Sequence, residues 1–146
     1  MILIDANLLI YAYNARASEH AAAREWLERV LNTSEFVMLP WITVWAFVRL
    51  ATNARAFPGP YTPQEALNIV RDLLSQPNVR IPEPGPQHAH LLQACMTAGQ
   101  VTGPRTTDAV LAALAIEHGA TLASTDRDFT RFSGLKWINP IEPSRS

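Results

Sequence analysis

The chain has 146 residues, of which 48% are hydrophobic, and its formal net charge is −1. This length and apolar content predict a single globular domain over residues 1–146, because two ordinary domains need a longer chain. The small net charge excludes a general electrostatic attraction to nucleic acid or to an anionic membrane. A bound polyanion would therefore have to be held by local arginines or by a metal ion.

Cysteine usage and the first residues bear on the compartment. Cys95 is the only cysteine, which excludes an internal disulfide framework and a cysteine zinc site and fits a reducing environment. The opening sequence MILIDANLL has no basic residue before its apolar run, and Asp5 interrupts that run. This pattern fits neither a secretory signal nor a membrane span. We therefore expect a cytoplasmic protein that does not cross a membrane.

The first half of the chain alternates short apolar runs with helical patterns. Continuous apolar runs are typical of strands buried on both faces, and they occur at residues 2–4 and 37–39. Apolar residues at helical spacing predict helices over residues 8–13, from a cap at Ser18 to about Leu31, and over residues 41–52. Asp5 thus lies at a junction between a strand and a helix.

The second half begins with a loop over residues 56–61, where two prolines and a glycine prevent a helix. Thr62-Pro63-Gln64-Glu65 has the pattern of a capping box and predicts a helix to about Leu74. Further helices are predicted over residues 86–98, ended by Gly99, and over residues 108–118, ended by Gly119. The remaining strands are predicted at residues 79–81, 121–124 and 136–138.

Short apolar strands separated by amphipathic helices are typical of one fold class. They predict an α/β domain in three layers, with a mostly parallel central sheet flanked by helices on both faces. In such sheets, ligands bind beyond the carboxyl ends of the strands, where the strand order reverses. The functional residues are therefore expected where strands end.

Four of the five aspartates, namely Asp5, Asp108, Asp126 and Asp128, follow a predicted strand or begin a predicted helix. Each alone is better explained as a cap or turn residue, and the prediction depends on the combination. If they converge in one pocket, their mutual repulsion raises their pKa values unless a cation neutralises them. Ligands that offer only oxygen favour Mg²⁺ or Mn²⁺ over zinc, and such an ion activates water for phosphodiester hydrolysis.

Several segments of the chain are similar in sequence to the corresponding segments of a known family. They are Met1-Ile2-Leu3-Ile4-Asp5-Ala6-Asn7, Thr107-Asp108-Ala109 with the following Leu111-Ala112-Ala113-Leu114-Ala115, and Ser124-Thr125-Asp126-Arg127-Asp128-Phe129. In these segments the chain resembles the VapC toxins of bacterial toxin–antitoxin pairs, which are PIN-domain ribonucleases. The segments Leu39-Pro40-Trp41, Phe47-Val48-Arg49-Leu50 and Trp137-Ile138-Asn139-Pro140 look like one branch of that family. The resemblance implies a PIN-like fold and an Mg²⁺-dependent endoribonuclease toxin of a type II toxin–antitoxin system.

The resemblance also implies roles for individual residues. Asp5 and Asp108 would be the principal catalytic ligands of Mg²⁺, for which Mn²⁺ could substitute, and Asp126 would complete the site directly or through water. Asp128 fits a cap of the following turn slightly better than a ligand. Ser124 either orients Asp126 or a water, or is simply a hydroxyl at the end of a strand.

One acidic residue of the family pattern is missing. Many PIN nucleases carry a glutamate in the helix after the second strand, and the matching position here is Ala46. Fewer negative ligands weaken metal binding and disfavour a mechanism with two metal ions. The loss also leaves open a catalytically impaired PIN-fold protein that only binds RNA or a protein partner.

The remaining expectations concern partners. Arg49 and Arg127 are candidate contacts to the RNA backbone, because arginine offers phosphate a bidentate fork, although a solvated side chain explains each of them as well. The resemblance implies a homodimer, an RNA substrate of the transfer or ribosomal class, and a cognate VapB-type antitoxin. The C-terminal segment of such an antitoxin, which often bears arginine, would reach the acidic pocket.

A second enzyme class also places an aspartate after the first strand. Phosphatases of the haloacid-dehalogenase type need a second aspartate two residues later, and Asn7 occupies that position. They also need a lysine in the site, whereas Lys136 is the only lysine of the chain. The sequence therefore disfavours this class.

Overall fold

The structure, a computed structural model, describes residues 1–142 of the chain. The strands are β1 (Ile2–Ile4), β2 (Val37–Met38), β3 (Val79–Arg80), β4 (Thr121–Ala123) and β5 (Trp137–Ile138). The α-helices are α1 (Ala6–Tyr13), α2 (His20–Leu31), α3 (Trp41–Ala51), α4 (Pro63–Leu74), α5 (His88–Gly99) and α6 (Thr106–His118). Two 3-10 helices cover Gly103–Arg105 and Arg127–Arg131.

All five strands run parallel in one sheet of order β3-β2-β1-β4-β5. The chain therefore builds the sheet outward from β1, first through β2 to β3 and then, on the other side, through β4 to β5. In the register of the central pair, Ile4 of β1 lies beside Ala123 of β4. The strand order reverses between these two strands, so their carboxyl ends form the crevice where parallel sheets bind ligands.

The two faces of the sheet bury separate hydrophobic cores, because successive side chains of a strand point to opposite faces. Ile4 of β1 and Val37 of β2 belong to the core shared with α1, α2, α3 and α4. Leu3 and Met38 belong to the other core, which α5 and α6 complete. The predicted three-layer arrangement with a parallel sheet is thus confirmed.

Two predicted helix ends need correction. Ser18 does not cap α2, because its hydroxyl donates to the carboxylate of Glu19 and the helix has no side-chain cap. Gly99 is the last residue of α5 and does not cap its end, because the C-cap is Gln100, which takes the left-handed conformation with φ of 53°. Gly99 serves packing instead: a Cβ there would lie 2.7 Å from Cε1 of Phe132, closer than such atoms approach.

Other helix ends follow the sequence closely. The capping box of α4 is present, with Thr62 Oγ1 accepting from the Glu65 amide at 3.1 Å and Glu65 Oε1 accepting from the Thr62 amide at 2.9 Å. Gly119 ends α6 with φ of 66°. The helix α6 begins at Thr106, two positions before the predicted start, so Asp108 lies in its first turn. No helix within residues 1–142 is long and apolar enough to cross a membrane.

Candidate active site

Asp5 leaves the central strand and caps the helix that follows it. Its Oδ1 accepts a hydrogen bond of 2.7 Å from the amide of Ala6, and its own amide donates to the carbonyl of Ala123 in β4 at 3.0 Å. The apolar run of β1 thus ends in a carboxylate held at the carboxyl edge of the sheet. Here the cap and ligand explanations of Asp5 are compatible, because the cap uses one of its two oxygens.

Ser124, which follows β4 and is fully buried, connects the acidic residues of the two strands. Its hydroxyl donates to Oδ2 of Asp5 at 2.7 Å and accepts from Asn7 Nδ2 at 3.1 Å and from the amide of Asp126 at 3.0 Å. Because two donors occupy its acceptor positions, its single proton is directed to Asp5. The interpretation of Ser124 as a plain strand-end hydroxyl is therefore wrong.

Burial changes the acidity of Asp5. Desolvation raises the pKa of this carboxyl above its ordinary value, and the nearby charge of Asp126 adds to the effect. The hydrogen bonds from Ser124 and from the Ala6 amide act in the opposite direction without cancelling it. Asp5 therefore carries an unfavourable negative charge that a bound cation would stabilise.

Asp108 lies in the first turn of α6, where the helix dipole favours a negative charge. Its pKa is nevertheless raised, first by burial and then by the charges of Asp126 and Asp5, while Arg105 opposes the shift. Asp5, Asp108 and Asp126 thus interact electrostatically although they lie far apart in sequence. The charge of Asp128 also raises the pKa of Asp108, so all four predicted aspartates act at one edge of the sheet.

Asp5 and Asp108 line a common cavity of about 560 Å³. Thr43 anchors α3 beside it by donating from Oγ1 to the carbonyl of Ile4 at 2.8 Å. The helix then presents Ala46 and Arg49 to the same space. The other lining residues are Ala6, Ile42, Thr43, Trp45, Thr107 and Leu111.

The lining indicates which ion this cavity suits. Its carboxylates and hydroxyls offer oxygen only, and neither histidine nor cysteine is among the lining residues. Within residues 1–142, no three Asp, Glu, His or Cys side chains form a ready cluster of metal ligands. An ion that keeps several waters and takes few protein ligands fits this arrangement, as Mg²⁺ and Mn²⁺ do. Ala46 lines the cavity, so a glutamate at this position would add a carboxylate to it.

Asp126 makes the cap that the sequence favoured for Asp128. Asp126 caps the 3-10 helix Arg127–Arg131, since its Oδ1 accepts from the amide of Asp128 at 2.9 Å. Asp128 therefore does not cap this turn as the sequence favoured. Its carboxylate instead forms an ion pair of 2.8 Å with Nη1 of Arg105.

Three arginines near the site differ in their surroundings. Arg49 lines the acidic cavity. Arg127 lies outside that lining and pairs with Glu142 at 3.0 Å. Arg105, whose charge acts on Asp108, was missed by the sequence analysis. Its place three residues before Asp108 was the available signal.

Comparisons with known proteins show the family to which the chain belongs. The PIN domain family matches residues 2–135. Ribonuclease VapC37 of Mycobacterium tuberculosis is 38% identical over 140 residues, which cover 96% of this chain and 97% of that protein.

Solved structures share the fold at lower identity. VapBC-1 of Haemophilus influenzae has a TM-score of 0.70 at 19% identity, covering 97% of this chain and 100% of that one. A toxin–antitoxin complex of Klebsiella pneumoniae has a TM-score of 0.66 at 20% identity, covering 98% and 100%. The chain therefore belongs to the PIN-domain family, among proteins of the VapC type.

Proposed function

We propose that the protein is an Mg²⁺-dependent endoribonuclease, the toxin of a type II toxin–antitoxin system. The observation that carries the proposal is the cavity shared by Asp5 and Asp108 at the point where the strand order reverses. Membership of the PIN-domain family and the ribonuclease name of the curated relative support the same reaction. In this proposal the protein binds RNA as its substrate and hydrolyses a phosphodiester bond of that RNA in the acidic cavity.

In this proposal Asp5, Asp108 and Asp126 are the catalytic residues. Asp5 and Asp108 hold the ion, with Mn²⁺ as a substitute for Mg²⁺, and Asp126 completes the site directly or through water. When bound, the ion supplies a Lewis acid at the phosphate and lowers the pKa of a water, which then serves as the nucleophile. The Ser124 hydroxyl fixes the orientation of the Asp5 carboxylate, so this ligand is in place before the ion binds.

Two arginines contact the RNA in this account. Arg49 lines the cavity and offers a phosphate its guanidinium fork, next to the carboxylates that hold the ion. Arg127 lies outside the lining of the cavity and pairs with Glu142, so it contacts the backbone further from the cut. The substrate is a structured RNA of the transfer or ribosomal class, whose loops expose the scissile bond.

Ala46 favours a site with one metal ion. An alanine in the lining replaces the acid that would contribute to a second ion, so the remaining carboxylates support a single, weakly held ion. The same observation keeps a second candidate function, a catalytically impaired protein that binds RNA or a partner without cutting. Cleavage activity distinguishes the two.

A cognate antitoxin of the VapB type is the proposed protein partner. Beside the acidic cavity, a groove of about 490 Å³ between α3 and α4 is lined mostly by apolar side chains, together with Arg49 and Arg71. Trp45 lines both spaces, and 66% of its surface is exposed. An antitoxin segment that covers the groove and extends an arginine into the cavity would bury this surface. We further propose that the toxin is a homodimer and acts in the cytoplasm.

The test is cleavage of total cellular RNA by the purified protein, with the ends of the products determined. We expect cleavage with added Mg²⁺ and none in EDTA, and activity should return when the ion is restored. Attack by water leaves a phosphate and a hydroxyl at the new ends, whereas attack by a ribose 2′-hydroxyl leaves a cyclic phosphate. Undiminished cleavage in EDTA, or cyclic phosphate ends, would overturn the proposal.

A further inference from the structure

Arg105 lies at the rim of the acidic site, between two of the three segments that carry its aspartates. It ends the 3-10 helix Gly103–Arg105 and directly precedes α6, which carries Asp108. Its Nη1 donates to Oδ2 of Asp128 at 2.8 Å, across 23 positions of sequence. The side chain therefore spans from the start of α6 to the 3-10 helix that follows Asp126.

The backbone that carries Arg105 is well defined. Gly103 has φ of 58°, a conformation that glycine adopts readily, and Pro104 fixes the next φ. The amide of Arg105 donates to the carbonyl of Thr102 at 3.4 Å. The root of the side chain is thus held in place, while the side chain itself is 47% exposed.

The positive charge of Arg105 lies close to the acidic site, where a phosphate of the RNA substrate must bind. Asp108 lies one turn further along the chain, and Arg105 is the cation that opposes the rise in its pKa. Four carboxylates surround this edge of the sheet, so the approach of a polyanion is unfavourable without a local positive charge. Within residues 1–142, the guanidinium of Arg105 makes one hydrogen bond, which leaves most of its five N–H donors available to a phosphate.

We propose that Arg105 binds an RNA phosphate adjacent to the scissile bond and that Asp128 orients its guanidinium until the RNA arrives. This inference rests on the proposed ribonuclease function and adds a substrate-binding residue to it. The ion pair is suited to exchange, because both side chains are about half exposed and such pairs are weak. A phosphate offers the guanidinium the same bidentate geometry with more negative charge.

The other arginines near this rim are engaged differently. Arg131 donates from Nη1 to the carbonyl of Gly99 and is half-buried, so it holds α5 against the 3-10 helix. Arg127 pairs with Glu142 near the end of the described chain. Of these three arginines, Arg105 is the one that is both exposed and close to Asp108.

The test measures binding of a short, fluorescein-labelled single-stranded RNA of mixed sequence at several salt concentrations. The parent is the Asp5→Asn variant in Mg²⁺, so the RNA stays intact. Adding Arg105→Ala should weaken binding about ten-fold and reduce the slope of log K against log salt by about 0.7, the contribution of one phosphate contact. The matched control is Arg29→Ala, because Arg29 also pairs with a glutamate but lies on α2, and it should change neither quantity.

Asp128→Asn separates a contact to RNA from a structural role of the ion pair. If Arg105 binds phosphate, this variant frees the guanidinium and removes a repelling charge, so RNA binding should tighten. If the pair only stabilises the rim, Asp128→Asn weakens binding as much as Arg105→Ala does. That result, or an unchanged salt slope for Arg105→Ala, overturns the inference.

Kinetics of the otherwise unmodified protein distinguish this inference from the proposed function. With an RNA that the protein cleaves, Arg105→Ala should raise KM about ten-fold and leave kcat nearly unchanged, because Arg105 holds substrate and does not hold the metal. An unchanged KM overturns the role of Arg105 alone. Failure of the unmodified protein to cleave any RNA overturns the proposed function, whatever Arg105 binds.

Discussion

The hydroxyl of Ser124 donates a hydrogen bond of 2.7 Å to Oδ2 of Asp5, a residue 119 positions earlier in the chain. The bond joins the carboxyl ends of β1 and β4, the two strands between which the sheet reverses its order. The Asn7 side chain and the Asp126 amide donate to the same hydroxyl. One buried oxygen therefore organises both strand ends of the acidic site.

Replacing Ser124 with alanine should lower metal affinity about 10- to 100-fold, as loss of a group that orients a metal ligand commonly does. The cause is a less constrained Asp5 carboxylate, together with two donors left without their acceptor. Calorimetric titration with Mn²⁺ measures the change, and Ser133→Ala, at an exposed serine, serves as control. Equal affinities for the two variants would contradict the role of Ser124.

The raised pKa values of Asp5 and Asp108 predict how stability depends on pH without metal. Both groups have an ordinary value of 3.8 and keep their protons to higher pH in the folded chain than in the unfolded chain. The free energy of unfolding should therefore fall as pH rises from about 3.8 through the raised pKa values. Urea unfolding in EDTA measures this fall.

The Asp5→Asn variant should show a smaller fall of stability with pH, because it removes one of the two groups. Asp72→Asn, an exposed aspartate of α4, should keep the full fall. Saturating Mg²⁺ should also reduce the fall, since the ion stabilises the ionised form of both carboxyls. If Asp5→Asn and the wild type lose the same stability over this pH range, burial does not destabilise the ionised Asp5.

Ala46→Glu restores a carboxylate to the cavity that Asp5 and Asp108 line. A further negative charge a few ångströms from the ion should tighten Mn²⁺ binding about ten-fold or more, and it should lower the stability of the metal-free protein. Ala22→Glu adds the same charge at an exposed position of α2 and controls for net charge. If both variants bind Mn²⁺ equally, Ala46 does not face the metal site.

The side chain of Asn78 makes buried hydrogen bonds that stabilise the sheet at a distance from the acidic site. Its buried Nδ2 lies 3.0, 3.2 and 2.9 Å from the carbonyl oxygens of Val30, Thr33 and Glu35, which precede β2. Asn78→Ala should reduce the free energy of unfolding by about 2 kcal/mol or more, because buried acceptors lose their donor. Urea unfolding measures it against Asn68→Ala, an exposed asparagine whose loss should cost little.

Local sequence patterns predicted the fold well where local forces decide it. The buried run Ile2–Ile4 and the capping box at Thr62 specify their elements by hydrophobicity and by hydrogen bonds within four residues. Ser18 failed as a cap because its hydroxyl bonds to Glu19 instead. Gly99 failed as the C-terminal cap of α5 because its role, the close approach of Phe132, depends on a residue distant in sequence.

The same difference between local patterns and contacts distant in sequence applies to the site residues. Asp5 and Asp108 were predicted because an aspartate at a strand exit or helix entry is visible in the sequence. The tasks of Ser124 and Arg105 come from contacts across 119 and 23 positions, which no local pattern encodes. The ion pair of Asp128 likewise depends on where Arg105 lies.

The most direct test of the account compares RNA cleavage by the wild-type protein with cleavage by Asp5→Asn, Asp108→Asn and Asp72→Asn, all in Mg²⁺. Melting curves of each variant establish that it is folded. The account predicts that Asp5→Asn and Asp108→Asn lose cleavage by about 100-fold or more, since each removes a ligand of the catalytic ion, while Asp72→Asn cleaves like the wild type. Folded Asp5→Asn and Asp108→Asn variants that cleave RNA at the wild-type rate would contradict it.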